Sequence, residues 1–254
     1  MRKIYPTNLT DSQYRTILAI IGDTRKRKSS LKDVLDAMLY LLKTGCQWRM
    51  LPSDFPQWEL VYYYFQKWSR DGTLEEIHEA LRNMLRRKRG RPRSPSVGII
   101  DSQSVKTTRS GAENRGYDGG KRLNGRKRHI ITDTEGLLLA VKVHSANDHD
   151  SKSGFEVIKK LRYRFERMKT IYADGGYRGE LIERVKNTLD YQMKITLRSD
   201  KSSEFKPLPK RWVVERSFAW LESFRRLAKD YERTCSSAEN MIYIAFIALM
   251  IKLL

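Results

Sequence analysis

From Leu31 the chain sets apolar side chains at Val34, Leu35, Met38, Leu39 and Leu42. That three-and-four spacing turns one face of an α-helix towards a core. Gly45 ends the run, as glycine does where a helix closes in the left-handed conformation. Thr10 with Gln13, Ser30 with Asp33 and Thr73 with Glu76 have capping-box or similar spacing, so the first 88 residues are expected to form several short helices. Trp48, Leu51, Phe55 and Trp58 cross a proline-containing turn into an aromatic helix, VYYYFQKW. Two readings of this helical region stand side by side: a helix-turn-helix-like DNA reader, or a bundle for dimerisation and packing.

The pattern breaks at RRKRGRPRSP (86–95), where Gly90, Pro92 and Pro95 stop any helix. Beyond it the period becomes that of strands. VGIID (97–101) is a short apolar run, and residues 127–145 read as two strands around a Glu135-Gly136 turn. Residues 151–167 are expected to be helical, 169–174 a strand, 179–189 a helix and 191–197 a strand. A long helix over about 210–232 follows, then one opened by Ser236 and Glu239. A hairpin followed by alternating helix and strand predicts an α/β domain with a mixed sheet. The expected organisation is a small all-helical domain over 1–88, a basic linker over 89–96 and an α/β domain over 97–254.

Charge narrows the class of partner. Lys and Arg number 50 against 30 Asp and Glu, a formal net charge of +20. Residues 1–95 hold nineteen of the basic and ten of the acidic side chains, so the excess is spread along the chain rather than gathered in a tail. Such a protein is matched to a polyanion. Arg89-Gly90-Arg91-Pro92 is like an AT-hook, whose extended arginines fit a narrow minor groove; a solvated basic linker is the other reading. Two cysteines far apart, Cys46 and Cys235, suggest no disulfide framework and fit a reducing, cytoplasmic setting. The apolar stretch from Met241 is too short to span a bilayer and reads as a buried terminal helix.

Two of the expected strands run into aspartate. Ile99-Ile100 leads to Asp101, and Ile171-Tyr172-Ala173 to Asp174. Carboxylates at neighbouring strand ends repel unless a cation lies between them, and Mg²⁺ takes such hard oxygen ligands together with substrate phosphates. The glycines of Gly175-Gly176-Tyr177-Arg178-Gly179 would let a phosphate backbone approach. Glu215 is a third candidate: Arg211, Glu215, Phe218 and Glu222 share a helical stripe, opposite an apolar stripe that includes Val213, Ser217, Trp220, Leu221, Phe224 and Leu227. His144 and His149, beside Asp148 and Asp150, read as a capped turn rather than a metal cluster.

These motifs resemble a known family. DSQSVKT (101–107), ADGGYRG (173–179) and RWVVERSFAWLESFRRL (211–227) are similar to the three catalytic blocks of DDE transposases of bacterial insertion sequences, in the insertion-sequence-five family. TGCQWRMLP (44–52) and VYYYFQKWSRDG (61–72) are similar to its amino-terminal helical region. The resemblance implies an RNase H-like catalytic domain with Asp101 on the first strand, Asp174 on the fourth and Glu215 on a later helix. It implies that these three hold two Mg²⁺ or Mn²⁺ ions. It also implies that the protein cuts DNA at the ends of an insertion sequence and joins the 3′-hydroxyl ends to target DNA. The partners implied are double-stranded DNA, as terminal inverted repeats and target, and further copies of the chain in a homodimer or larger assembly.

Around the last carboxylate the family carries a tyrosine, arginine, glutamate and lysine signature. Arg211 and Glu215 match it, while Leu208 and Glu222 stand at the tyrosine and lysine positions. Arg225 or Arg226 is expected to replace the missing lysine. Further expected DNA contacts are Lys106, Arg178, Arg89 and Arg91, and the basic stretch Lys121, Arg122, Arg126, Lys127 and Arg128.

Overall fold

The computed structural model describes residues 3–108, 112–196 and 211–254. It divides into two compact units. The first comprises Met1–Arg91, Leu221–Glu232 and Ser236–Leu254; the second comprises Pro92–Trp220 and Arg233–Cys235.

The first unit is helical. Its elements are α1 (Asp11–Ile21), α2 (Leu31–Thr44), α3 (Trp58–Arg70), α4 (Thr73–Lys88), the short α8 (Arg225–Ala228) and nearly all of α9 (Cys235–Ile251). Thr10 and Gln13 form the full capping box ahead of α1. Ser30 caps α2 through the Lys32 amide, and Gly45 closes α2 at φ 72°. The expected cap at Thr73 is displaced. Gly72 takes the left-handed turn, and the Asp71 carboxylate accepts from both the amide and the hydroxyl of Thr73. Helix α9 is apolar on all sides and correspondingly buried from Met241 to Ala248. Its Tyr243 hydroxyl reaches Glu75 at 3.2 Å. Asp36, fully buried in α2, accepts from the Leu9 amide at 2.7 Å and from Lys32 at 3.2 Å, so its charge is balanced. Among the described residues no helix is long and apolar enough to cross a membrane.

The compact units do not follow the expected boundary at residue 97 alone. Residues 221–232 and 236–254 count with the amino-terminal helices, because α9 has no wet face and needs apolar partners around its whole circumference. The expected helix over 210–232 is also broken. Helix α7 (Arg211–Glu222) ends, Phe224 is extended and buried, and α8 begins. Helix α9 starts at Cys235, so Ser236 lies inside it rather than capping it.

The second unit is built on a six-stranded sheet of β1 (Val97–Lys106), β2 (Gly116–Asp118), β3 (Leu123–Thr132), β4 (Leu138–Ser145), β5 (Thr170–Ala173) and β6 (Gln192–Ile195). The order is β2-β3-β1-β5-β6, with β4 also paired to β3. Strands β1, β3 and β4 are antiparallel, whereas β1–β5 and β5–β6 are parallel. Apart from the three-residue β2, which the sequence did not suggest, this is the RNase H-like arrangement that the resemblance implied. With β2 counted, Asp174 follows the fifth strand, not the fourth. Helices α5 (Asp150–Lys159) and α6 (Glu180–Leu189) cover one face, joining Phe155, Val157, Ile158, Leu181 and Val185 to Ile100, Ile131, Ile171 and Ala173 in one core. Helix α5 stops eight residues short of the expected 151–167. The chain tightens into three-residue turns from Lys160, and Tyr163 takes φ 65°.

Strand β3 approaches β1 so closely at Gly125 that a Cβ there would run into the Val105 carbonyl oxygen. Gly125→Ala is expected to force the two longest strands apart and to cost on the order of 3 kcal/mol. Thermal unfolding checks this, and an unchanged midpoint would contradict it.

Candidate active site

Strand β1 does not end at its aspartate. The ladder to β3 continues from Ser102 opposite His129 to Lys106 opposite Gly125, which keeps these polar residues extended. The parallel ladder to β5 is shorter, pairing Val97–Ile99 with Thr170–Tyr172. Continued two residues further, that register sets Asp101 beside Asp174. Period-two alternation sends Ile100, Ile171 and Ala173 into the core with α5 and α6, so Asp101 and Tyr172 stand on the opposite face. The Asp101 carboxylate accepts from the Ser102 amide at 2.8 Å, and that of Asp174 from the Gly176 amide at 2.9 Å. The second bond caps the single 3₁₀ turn Gly175–Tyr177.

Glu215 is carried on α7, which is fastened to the β3–β4 turn. The Ser217 hydroxyl donates to the Gly136 carbonyl at 2.9 Å, and Arg216 to the Glu135 carbonyl at 3.0 Å. The turn itself is held by buried Asp133, whose carboxylate accepts from the Glu135 and Leu137 amides. The polar stripe expected on α7 is corrected in part. Phe218 is buried with Val213, Val214, Ser217 and Leu221, while Glu215 is exposed. Arg211, one turn before it, lies 3.3 Å from Glu215 and 3.8 Å from Asp174. One guanidinium therefore faces two of the three candidate carboxylates.

The charge balance is visible at Asp101. Burial pushes its carboxyl up to about 7, the Asp174 and Glu215 charges add to the rise, and the Ser102 amide and Arg211 oppose it. Three acidic side chains share this place with one arginine, so hard oxygen donors are available and positive charge is short. In donor chemistry they fit a divalent cation. Among the described residues, no three Asp, Glu, His or Cys side chains are close enough together to enclose one ion.

A second set of residues, missed from sequence, backs this face. Asp150 opens α5 and touches Ser102 Oγ at 3.3 Å, Lys127 Nζ at 2.9 Å and His129 Nε2 at 3.5 Å. An added Cβ on Gly176 would come 3.6 Å from the same carboxylate. Asp150 thus sits between the residue after Asp101 and the turn after Asp174. Burial raises its carboxyl, but His129 and Lys127 outweigh that and hold it well below the usual carboxylate range. Behind it, buried His129 Nδ1 lies 2.7 Å from His144 Nε2. His144 Nδ1 faces the Ser145 carbonyl at 2.8 Å. Burial pushes His144 down to about 4, and His129 down as well. The VHSANDHD segment does turn ahead of α5, the Asp148 amide donating to the Ser145 carbonyl at 3.2 Å, but His149 makes no side-chain cap to the helix. The acidic and histidine cluster was visible in the sequence, but only the strand register places it behind Asp101.

The basic candidates separate by burial. Lys106, Arg122, Arg178, Arg225, Arg89 and Arg91 are exposed. Arg126 is fully buried and donates to the carbonyls of Glu113, Arg233 and Thr234. Arg128 is buried, and Lys127 is engaged with Asp150 and the Asp148 carbonyl. Arg226 is buried against Glu232 at 2.8 Å and the Cys46 carbonyl at 3.1 Å. The expectation of phosphate contacts is corrected for these four, whose cationic groups are committed inside the protein. Of the two arginines expected to replace the signature's lysine, Arg225 is the exposed one. Leu208, at the signature's tyrosine position, lies outside the described residues.

Because Asp101 titrates near 7 when folded and near 3.8 when unfolded, the folded state holds the extra proton between those values. Its contribution to stability is therefore complete below about pH 4 and lost as pH rises to 7. In buffer free of divalent ions, Asp101→Asn is expected to match wild type near pH 4 and to exceed it at pH 8 by up to ~4 kcal/mol. Melting curves at the two pH values test this; a variant less stable at pH 8 would contradict it.

Comparison with known proteins places the chain. Residues 92–251 match the family "Transposase DDE domain", and residues 9–78 match "Putative transposase of IS4/5 family". The latter is a coarser grouping than the insertion-sequence-five branch. A curated relative, "Putative transposase for insertion sequence element IS402" from Burkholderia cepacia, is 36% identical over 117 residues, 43% of this chain and 54% of that protein. The chain thus matches about half the length of that relative. Among solved structures, the catalytic domain of Mos1 mariner transposase aligns at TM-score 0.34 and 9% identity, covering 70% of this chain and 88% of that one. A pre-cleavage Mos1 transpososome aligns at 0.29 and 9%, covering 91% and 79%. Both likenesses are too loose to carry weight beside the family match. Spanning the whole β1-to-α9 region that bears Asp101, Asp174 and Glu215, that match establishes that the chain belongs to the Transposase DDE domain family.

Proposed function

We propose that the protein is a DNA transposase that cuts at the ends of its insertion sequence and joins the freed 3′-hydroxyl to target DNA. Asp101, Asp174 and Glu215 are its catalytic carboxylates. The observation that carries this reading is the short parallel ladder that sets Asp101 beside Asp174, with Arg211 facing both Asp174 and Glu215.

The three carboxylates would hold two divalent cations, Mg²⁺ or Mn²⁺. Bound there, such ions supply Lewis acidity for activating an attacking oxygen and stabilising a leaving one in phosphoryl displacement. The chain's own residues account for the rest. Strands β1 and β5 fix two carboxylates on rigid backbone, and the capped turn after Asp174 prevents that side chain from swinging away. The fastening of α7 to the β3–β4 turn fixes Glu215 by a separate route. Arg211 screens the repulsion between Asp174 and Glu215 and is placed to meet a DNA phosphate. Further phosphate contacts are the exposed Lys106, Arg122 and Arg178 of the second unit and the exposed Arg89, Arg91 and Arg225 of the first. The helical segment over 9–78 reads the element's ends or pairs two copies of the chain. Transposition needs both ends together, so a dimer or larger assembly on DNA is part of the reading.

Incubating the protein with Mg²⁺ and a labelled duplex carrying the element's own ends should give nicking and strand transfer. Asp101→Ala, Asp174→Ala and Glu215→Ala should each lower the cleavage rate by at least a thousandfold, on the order of 4 kcal/mol in the barrier, with end binding largely kept. Cleavage by any one of them at the wild-type rate would remove that residue from the site. Binding without cleavage by wild type would favour a DNA-binding protein that has lost the chemistry.

A further inference from the structure

Beside the turn that follows Asp174, the second unit opens a cavity of about 340 Å³ lined by Ser151, Lys152, Arg178, Glu180, Leu181 and Arg184. Three of its six side chains are cations and one is an anion. Lys152, Arg178 and Arg184 are all exposed, and among the described residues no carboxylate pairs with any of them. Most buried basic groups of this unit behave otherwise: Arg126 and Lys127 are committed to carbonyls or to Asp150. Two of the three cations are held in place. The guanidinium of Arg178 packs 3.3 Å from the position a Gly175 Cβ would take, against the Asp174 turn. That of Arg184 stacks on Phe155, 3.7 Å from the ring centre, which anchors a long side chain at the edge of the core. Keeping three unpaired like charges around one hollow costs repulsion that an anion would relieve.

From this geometry we infer that the cavity is a subsite for a backbone phosphate of DNA, beside the turn that follows Asp174. The inference rests on the transposase reading for the identity of the anion. The lining decides the kind of contact. Lysine, arginine and the Ser151 hydroxyl are phosphate ligands, and a contact to phosphate positions DNA without reading its sequence. The Glu180 carboxylate disfavours a multiply charged small anion more than a phosphodiester, which carries one charge. Arg178 was already a candidate phosphate contact; Lys152 and Arg184, which lie outside the three family-like blocks, are new ones. They belong to α5 and α6, the two helices packed behind the catalytic strands, so they hold DNA from rigid elements rather than from a loop.

The test is DNA affinity as a function of salt, read by fluorescence anisotropy on a labelled end duplex and on an unrelated duplex of equal length. Lys152→Glu, Arg184→Glu and the pair together are compared with wild type, with melting curves to show that each is folded. The double variant is expected to bind both duplexes at least tenfold more weakly at one salt concentration. Its slope of log affinity against log salt should fall by about one for each phosphate no longer neutralised. Should Arg184→Glu fail to fold, Lys152→Glu, on an exposed position, carries the test alone. Wild-type slope and affinity in folded variants would overturn the inference and leave the transposase reading intact, provided wild type still cuts. Failure of wild type to bind or cut DNA would overturn both. A loss confined to inorganic phosphate, measured by calorimetry, with DNA binding unchanged, would assign the cavity to a small phosphate ligand instead.

Discussion

Strands β1 and β5 pair in parallel over only three residues on each side, and the candidate chemistry depends on where that pairing stops. Beyond it the two strands part company. Strand β1 stays extended on the support of β3, while β5 gives way to a 3₁₀ turn capped by its own terminal aspartate. The result is two carboxylates side by side at the edge of a hydrophobic core. The upward shift of Asp101 shows the cost of that position. Such an arrangement persists only because the surrounding sheet and helices fix it, and a site under electrostatic tension of this kind is poised to accept positive charge.

Each carboxylate is held by a different device. Asp101 is fixed by a long antiparallel ladder, Asp174 by a backbone cap, and Glu215 by a helix bonded to the β3–β4 turn. Asp150 then ties the first two together from behind, touching Ser102 and approaching Gly176, with Lys127 balancing its charge and the His129–His144 pair packed behind it. A network of buried polar groups is costly unless its members are satisfied, and here it rigidifies the strand ends that matter. The same need for satisfied partners explains why three of the five basic candidates at β3, Arg126, Lys127 and Arg128, are buried while Lys121 and Arg122 are exposed. Lys127 pairs with Asp150 and Arg126 donates to carbonyls, whereas further exposed cations lie on the Asp174 turn and along α5 and α6.

The helical unit shows how a segment's own composition can override its place in the chain. Helix α9 follows the last catalytic block, yet it is apolar around its whole circumference and buries that surface in the amino-terminal unit. Arg226, close in sequence to the helix that carries Glu215, goes with it and pairs with Glu232. Nearness in sequence to a candidate carboxylate was a poor guide to nearness in space once the helix over 210–232 broke at Phe224.

Local periodicity and turn chemistry account for everything that was legible before folding. The Thr10 capping box, the Gly45 stop, the strands around Glu135-Gly136 and the apolar runs leading to Asp101 and Asp174 are all functions of a few adjacent residues, and long family-like blocks singled out the three carboxylates as candidates. Register and burial account for the rest, and neither exists until the chain has folded. Whether Asp101 meets Asp174 turns on which strands are neighbours and how they are offset. Whether Arg126 or Lys152 is free for an anion turns on partners far away in the chain, such as the carbonyls of Arg233 and Thr234. Asp150 had no helical or strand period to mark it, since its role arises from contacts with Ser102, Lys127 and His129 in other strands. Local propensity is written in neighbouring residues, but electrostatic environment is a sum over everything that folding brings near.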